Sequence, residues 1–308
     1  MQPYVPITNL RKTINNINTV QVKAYESLEQ AMADSATPFH GIVVSTPTNT
    51  HSALIQEAAH SGIAGVFVEK PVGESAQQIQ ELFGIADAFN LDLCCGFQRR
   101  FDPSYVAAAK AIAEEGRVGT PVVANIFFAD HPAPPKQFML QGGDIFLDLC
   151  AHDVDYITNA LQDDIVSVYA TGTSMDPELK EAGIHDNAIM VMNFEKGAVA
   201  TLFMSRSATY GYDQRCEVFG DKGLVSVMNH PETSMVVSDV QGIQQSRLKH
   251  SFPERFQEAF ALELDAFADV LLGNKSWPIS AEQCFKVQKV ADAARQSCAE
   301  GRLVEIEY

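Results

Sequence analysis

The stretch GIVVSTPTNTHSALIQEAAHSGIAGVFVEKP, residues 41–71, decides how this chain folds. A four-residue apolar run, Gly41 to Val44, gives way to small polar residues. From Thr50 the apolar positions then recur at helical spacing until Gly62, a residue suited to the left-handed turn that ends a helix. A second run, Gly65 to Val68, is β-branched and aromatic, and it stops at Glu69, Lys70 and Pro71. Strand, helix and strand joined by so few residues form a crossover unit, which pairs its strands in parallel. The pattern extends in both directions. Upstream, VQVKAY (20–25) reads as a strand and SLEQAMAD (27–34) as a helix, with Ser27 and Gln30 at capping-box spacing. Downstream, SAQQIQELFGIADAFN (75–90) carries Ile79, Leu82, Phe83 and Ala86 on one helical face, and LDLCCGF (91–97) is a further strand.

Past residue 100 the texture changes. After one helix in PSYVAAAKAIAEEG (103–116) come long strand-like stretches at 121–130, 165–173, 187–207, 214–228 and 234–248. The turns EKG (195–197) and DKG (221–223) mark hairpins, hence antiparallel pairing. Two helices, 254–272 and 281–300, and a short strand in LVEIEY (303–308) close the chain; the second helix places Val287, Val290, Ala291, Ala294 and Cys298 on one face. The fold class is α/β: an incomplete Rossmann-type parallel sheet domain, residues 1–98, followed by an α+β domain with a large, mostly antiparallel sheet, residues 99–308.

Composition narrows the function. With 308 residues, 46% of them hydrophobic, two domains with substantial cores are expected. A formal net charge of −17 repels phosphate backbones and anionic membrane surfaces, so nucleic acid and membrane partners are excluded. No signal-peptide pattern and no apolar stretch of membrane-spanning length is present, which places the protein in the cytoplasm. The six cysteines are scattered, with no C-x-x-C pair, and read as buried thiols; no metal site is expected. The first glycine is Gly41, so the G-x-G-x-x-G turn of a dinucleotide-binding sheet does not precede it. One strand–helix unit of about thirty residues is expected to be absent.

Five motifs carry a resemblance: GIVVSTPTNTH (41–51), VFVEKPVG (66–73), CCGFQRRFDPSY (94–105), GGDIFLDLCAHDVDY (142–156) and YGYDQRCEVFGDKG (210–223). In order and spacing they resemble the glucose-fructose oxidoreductase / inositol dehydrogenase / rhizopine-catabolism (Gfo/Idh/MocA) family. The resemblance implies an NAD(P)-dependent oxidoreductase that takes hydride from a secondary hydroxyl of a polyol or sugar, inositol-like. The cofactor is NAD or NADP, with NAD favoured. A homo-oligomer, dimer or tetramer, would form through the C-terminal sheet. The competing reading is a truncated, non-catalytic family member that acts as a binding or assembly subunit; a weaker third is a dihydrodiol-type or aldose-type reductase.

Each candidate residue has a plain reading beside its functional one. By position Lys70 is either a strand-end lysine paired with Glu69 or a donor to a substrate hydroxyl. Asp148 and His152 are four apart, and share a face if helical; they are either an ordinary helix pair or a base with a carboxylate partner. The resemblance assigns His152 as base, Asp148 as its partner and Lys70 as hydroxyl donor. It also places Arg99 and Tyr212 on the substrate side, and gives Asp130 and His131, in ADHP (129–132), a role as polar ring contacts. For the cofactor it points to Ser45, Thr46, Pro47, Thr48 and His51, with Glu69 and Lys70; a plain capped turn is the alternative for the first five. Asp144 is expected to cap a helix, Arg100 to pair with an acidic neighbour, and Asp153 and Asp155 to be solvated.

Overall fold

Three short runs rich in apolar residues, β1 (Gly41–Val44), β2 (Gly65–Glu69) and β3 (Asp92–Gly96), pair in parallel in that order. The computed structural model describes residues 23–35, 38–140 and 143–308. The expected strand at 20–25 falls partly outside these; its described part, 23–25, is not a strand, and the unit expected to be absent also concerns residues outside the description. In α1 (Leu28–Asp34) the Ser27 hydroxyl accepts from Gln30 N, but the Gln30 side chain reaches Glu26 N instead of Ser27, so the box closes one residue early. Helices α2 (His51–His60) and α3 (Ala76–Phe89) make the two crossovers, burying Ile55 and Ala58, and Ile79, Leu82 and Ala86.

The opposite face of this sheet is covered from far along the chain. After α4 (Pro103–Ala113), β4 (Pro121–Ala129), α5 (Lys136–Leu140), α6 (Ile145–Asp148) and α7 (Cys150–Leu161), the chain runs through β5 (Ile165–Thr173), α8 (Pro177–Glu181) and the hairpins β6 (Asn187–Phe194)/β7 (Val199–Ser205), β8 (Asp213–Gly220)/β9 (Gly223–Val227) and β10 (Val236–Asp239)/β11 (Gly242–Gln245). Helices α9 (Phe252–Arg255), α10 (Gln257–Leu271) and α11 (Ala281–Glu300), and strand β12 (Val304–Glu305), complete it. Phe267 and Val270 of α10 pack on Phe67 and Cys94. A Cβ at Gly65 would lie 2.6 Å from Leu271, so this glycine lets α10 lie close on the sheet.

The second sheet has the order β12-β5-β6-β7-β4-β8-β9, antiparallel except where β4 meets β7. The turns at 195–197 and 221–222 join the hairpins, as EKG and DKG predict. Alternate residues of β4 (Ala124, Ile126, Phe128) point into the core, where α7 and α11 pack, while Val123, Tyr169, Ile189, Phe219 and Leu224 lie on exposed positions of the strands. No described helix is long and apolar enough to cross a membrane.

Candidate active site

Ligands of open parallel sheets bind beyond the carboxyl ends of the strands, and there β2 delivers Glu69, Lys70 and, across a cis peptide bond, Pro71. The second element is built by a cap. Asp144 accepts from Phe146 N (2.8 Å) and Leu147 N (3.1 Å) and starts α6, as predicted. Leu149 keeps helical backbone between α6 and α7, so Asp148 and His152 stack one turn apart.

Lys70 and Asp148 meet, but not in the way the sequence suggests. Lys70 does not pair with Glu69: its Nζ donates to Asp148 Oδ1 at 2.6 Å and to the Asp148 carbonyl at 2.8 Å. An ammonium has three N–H groups, so one is left for a ligand. Asp148 Oδ2 accepts from Arg206 Nη1 at 2.6 Å, and Arg206 Nη2 donates to Gly143 O at 2.9 Å. Burial disfavours the Asp148 carboxylate, but the Lys70 and Arg206 cations outweigh it and hold this carboxyl well below the usual range. No hydrogen bond joins Asp148 to His152, so the expected base–carboxylate contact is replaced by a purely electrostatic one.

His152 stands edge-on to Phe97 and Phe128, with ring centroids 6.5 and 6.3 Å away. Among the described residues its buried Nδ1 has no partner, and the residue lines the same cavity as Lys70 and Asp148. Burial, then the Lys70 and Arg99 cations, push its pKa well below the usual value, and Asp148 offsets part of this. The ring is therefore neutral, and free to take a proton, at neutral pH.

These groups open on one cavity of about 310 Å³, lined on its polar side by Glu69, Lys70, Asp130, Asp148, His152 and Tyr212. Gln98, Leu149, Phe128, Phe252 and Phe260 complete the wall. Burial pushes the Asp130 carboxyl up to about 6 against the opposing pull of Arg206. It also raises Glu69, against the pull of Lys70, and the Tyr212 phenol, which stays protonated. A larger groove of about 420 Å³ lies between the ends of α7 and α11; there Lys286 bonds Asp164 and Glu282, and Tyr308 bonds the Ile165 carbonyl. Among the described residues no cluster of His, Cys, Asp and Glu is placed to hold a metal.

Several expectations are corrected. Arg99 is not on the cavity wall: it is 1% exposed, bonded to Asp153 and to Gln214 Oε1, and lies 5.0 Å from the centroid of the Phe128 ring. Asp153 and Asp155 are not solvated but fully buried, the second held bidentately by Arg100 at 2.7 and 2.8 Å, so Arg100 does have its acidic partner. His131 is not on the cavity wall; its ring packs edge-on against His250, while its N–H bonds back to Asp130. His51 is buried with Nε2 on Thr46 O (2.9 Å) and Nδ1 on Pro71 O (3.0 Å), so its ring ties the end of β1 to the Lys70 loop and has no edge left for a cofactor. Ser45, Thr46 and Pro47 are exposed beyond β1, with Thr48 opening the turn into α2. Sequence reasoning missed Arg206, Leu149, Phe252 and Phe260. No periodicity or motif marks Arg206 in FMSRSATY (203–210), and of the two phenylalanines only Phe260 falls within the expected helix at 254–272.

Comparison with known proteins identifies the family. Residues 8–97 match the oxidoreductase family described as having an NAD-binding Rossmann fold, and residues 106–226 match the GFO/IDH/MocA C-terminal domain. The chain is 34% identical to the inositol 2-dehydrogenase of Rhizobium meliloti, over 89% of its own length and 82% of the relative's. It is 33% identical to the myo-inositol 2-dehydrogenase of Thermotoga maritima, over 92% and 84%. Its fold is similar to the scyllo-inositol dehydrogenase of Lactobacillus casei solved with bound NAD(H) and scyllo-inositol, with a TM-score of 0.85, 28% identity, and 98% and 88% of the two chains covered. With both family models matching and relatives above 30% identity over most of its length, the chain belongs to the GFO/IDH/MocA family of oxidoreductases.

Proposed function

We propose that this oxidoreductase takes hydride from a secondary hydroxyl of a small, inositol-like polyol and passes it to NAD. The observation that carries the reading is that Lys70, which spends two of its three N–H groups on Asp148, and neutral His152 line one cavity. Oxidation of a secondary alcohol removes a proton from oxygen and a hydride from carbon. His152 takes the proton. Lys70 donates to the same oxygen as negative charge develops on it, and Asp148 both aims Lys70 and offsets the imidazolium charge. The nicotinamide supplies the hydride acceptor when bound. Glu69, a carboxylate on the cavity wall, fits that cationic ring, and the Ser45–Thr48 turn beyond β1 fits the rest of that half. The L. casei structure with NAD(H) supports NAD over NADP.

Tyr212 and Asp130 hold the distal hydroxyls, and Phe252 and Phe260 face the C–H surface of the ring. The division at residues 98/99 separates the cofactor side from the substrate side. The exposed apolar positions of the large sheet, Tyr169, Ile189 and Phe219 among them, support a dimer or tetramer formed there. Six free thiols, five of them buried, support a reducing cytoplasmic setting.

Titration of the protein with NAD and NADP by calorimetry or thermal protection tests the reading. No binding of either at about millimolar concentration sinks it. Given binding, His152→Ala is expected to abolish turnover with cofactor affinity nearly unchanged; lost cofactor affinity would show that His152 is misassigned.

A further inference from the structure

We propose that Arg206 is a positioning residue of this reaction, acting through Asp148 on Lys70; the proposal rests on the dehydrogenase reading above. Arg206 sits just past the end of β7 and is 2% exposed. Its base is fixed: Arg206 N donates to the Asp186 carbonyl (2.8 Å), and the flanking residues are zipped to Asp130, whose N–H donates to Ser205 O and whose carbonyl accepts from Ala208 N, both at 2.8 Å. The guanidinium then spends both of its bonds on a single segment, Gly143 O and Asp148 Oδ2, which begins and ends the turn that carries the catalytic carboxylate. The Phe138 ring lies under it, 5.7 Å from centroid to guanidinium carbon.

The consequence follows from counting donors and acceptors. A carboxylate offers two oxygens, and Arg206 takes Oδ2. Arg206 on Oδ2 fixes the tilt of the carboxylate, so that Lys70 meets Oδ1 and the Asp148 carbonyl and its third hydrogen points away from both, free for the substrate oxygen. Without Arg206, Oδ2 is an open acceptor at the cavity edge. It would capture the third Lys70 hydrogen, the His152 ring or a substrate hydroxyl, each in the wrong geometry for reaction. Arg206 also supplies positive potential that opposes proton uptake in the cluster. The charged groups facing His152 are Lys70, Arg99 and Asp148, with Glu69 and Asp130 on the same cavity wall. Asp130 feels Arg206, Asp148 and Lys70.

The test compares the wild-type chain with Arg206→Met and Arg206→Lys in NAD reduction by myo-inositol and scyllo-inositol, with thermal unfolding measured alongside. Arg206→Met is expected to lower kcat about 100-fold per folded molecule, with KM for NAD within about twofold. The acid limb of its kcat/KM profile should move up, because loss of the Arg206 cation favours protonation of Asp130, which lies on the cavity wall and is held down by Arg206. Arg206→Lys keeps the charge and so the limb, but recovers only part of kcat, since a point charge cannot span Oδ2 and the Gly143 carbonyl. A wild-type kcat and pH profile in Arg206→Met would overturn the proposal. So would a loss in both variants that matches only the unfolded fraction. Absence of turnover in the wild type with both polyols would instead refute the dehydrogenase reading, and the proposal with it.

Discussion

The corner made by Lys70, Asp148 and Arg206 and the layer beneath it made by Arg99, Asp153 and Gln214 use the same ingredients, a carboxylate held by cationic and amide donors, and they differ in exposure. In the corner, the Lys70 and Asp148 side chains keep 13% and 30% of their accessible surface, and one Lys70 hydrogen is uncommitted toward a cavity. In the layer, Arg99 and Asp153 keep 1% and 0%, Gln214 bonds both of them, and the guanidinium lies between the Phe128 and Tyr105 rings. What marks chemistry here is not the presence of an ion pair but a donor left over at a surface a ligand can reach. The sealed layer has unpaired atoms too, Arg99 Nε and Asp153 Oδ2, but they are buried in the core.

A pair of substitutions can break this contrast. Lys70→Met is expected to lower kcat about 100- to 1,000-fold, the cost of removing one donor to a developing oxyanion, while the unfolding temperature changes little. Arg99→Met removes the cation opposite Asp153 and leaves it only the Gln214 amide in the core, and is expected to cost about 3–5 kcal/mol of stability with kcat per folded molecule preserved. Steady-state kinetics and denaturant titration on both variants check this. An Arg99 variant that folds normally but turns over poorly would make the layer part of the catalytic machinery and the contrast false.

How much of this was legible beforehand follows the same line. The i, i+4 spacing of Asp148 and His152 and the strand-end position of Lys70 are local facts, and local facts survive into the fold. The alternating strands and helices of residues 41–97, and the hairpin turns after 195 and 221, were readable for the same reason. Which neighbours on α7 face the cavity was not. Asp153 follows His152 directly, yet it turns into the core because Arg99 and Gln214, 54 and 61 residues away in sequence, meet it there. Arg206 is 58 residues from the aspartate it holds, and no sequence period spans that distance. His51 looked like a cofactor contact because it begins a helix beside small hydroxyl residues, and only the fold brings the Pro71 carbonyl to its second nitrogen.

Asp130 sharpens the contrast at smaller amplitude, since it lies on the cavity wall but is held by nothing stronger than a backbone N–H. Its carboxyl is pushed up to about 6, chiefly by burial, so it is ionised at neutral pH and loses its charge as pH falls through that value. If it accepts substrate hydroxyls, KM for the polyol should rise about tenfold on going below pH 6, consistent with the worth of a hydrogen bond to a charged group. Asp130→Asn should show the raised KM at every pH, with a flat profile. A polyol KM independent of pH in the wild type would place Asp130 outside the recognition set.

Glu263 tests whether the buried groups next to the site are as inert as the contrast requires. It lies on α10, is 1% exposed, and its Oε1 has no partner among the described residues. Burial first, then the Glu69 and Asp155 carboxylates, push it up to about 9. The folded chain therefore keeps a proton that the unfolded chain, with a glutamate at its ordinary value near 4.5, has already lost. Between these two values each rise in pH favours the unfolded state, so Glu263 lowers stability progressively from mildly acid to alkaline pH. Glu263→Gln keeps the shape and has no proton to lose. It should unfold with the wild type at about pH 4 and outlast it at about pH 8, by about 2–4 °C for each kcal/mol recovered. A gain that is the same at both pH values would mean that the glutamate is not carrying the proton, and altered kcat in this variant would mean that its reach extends through Glu69 to the cavity.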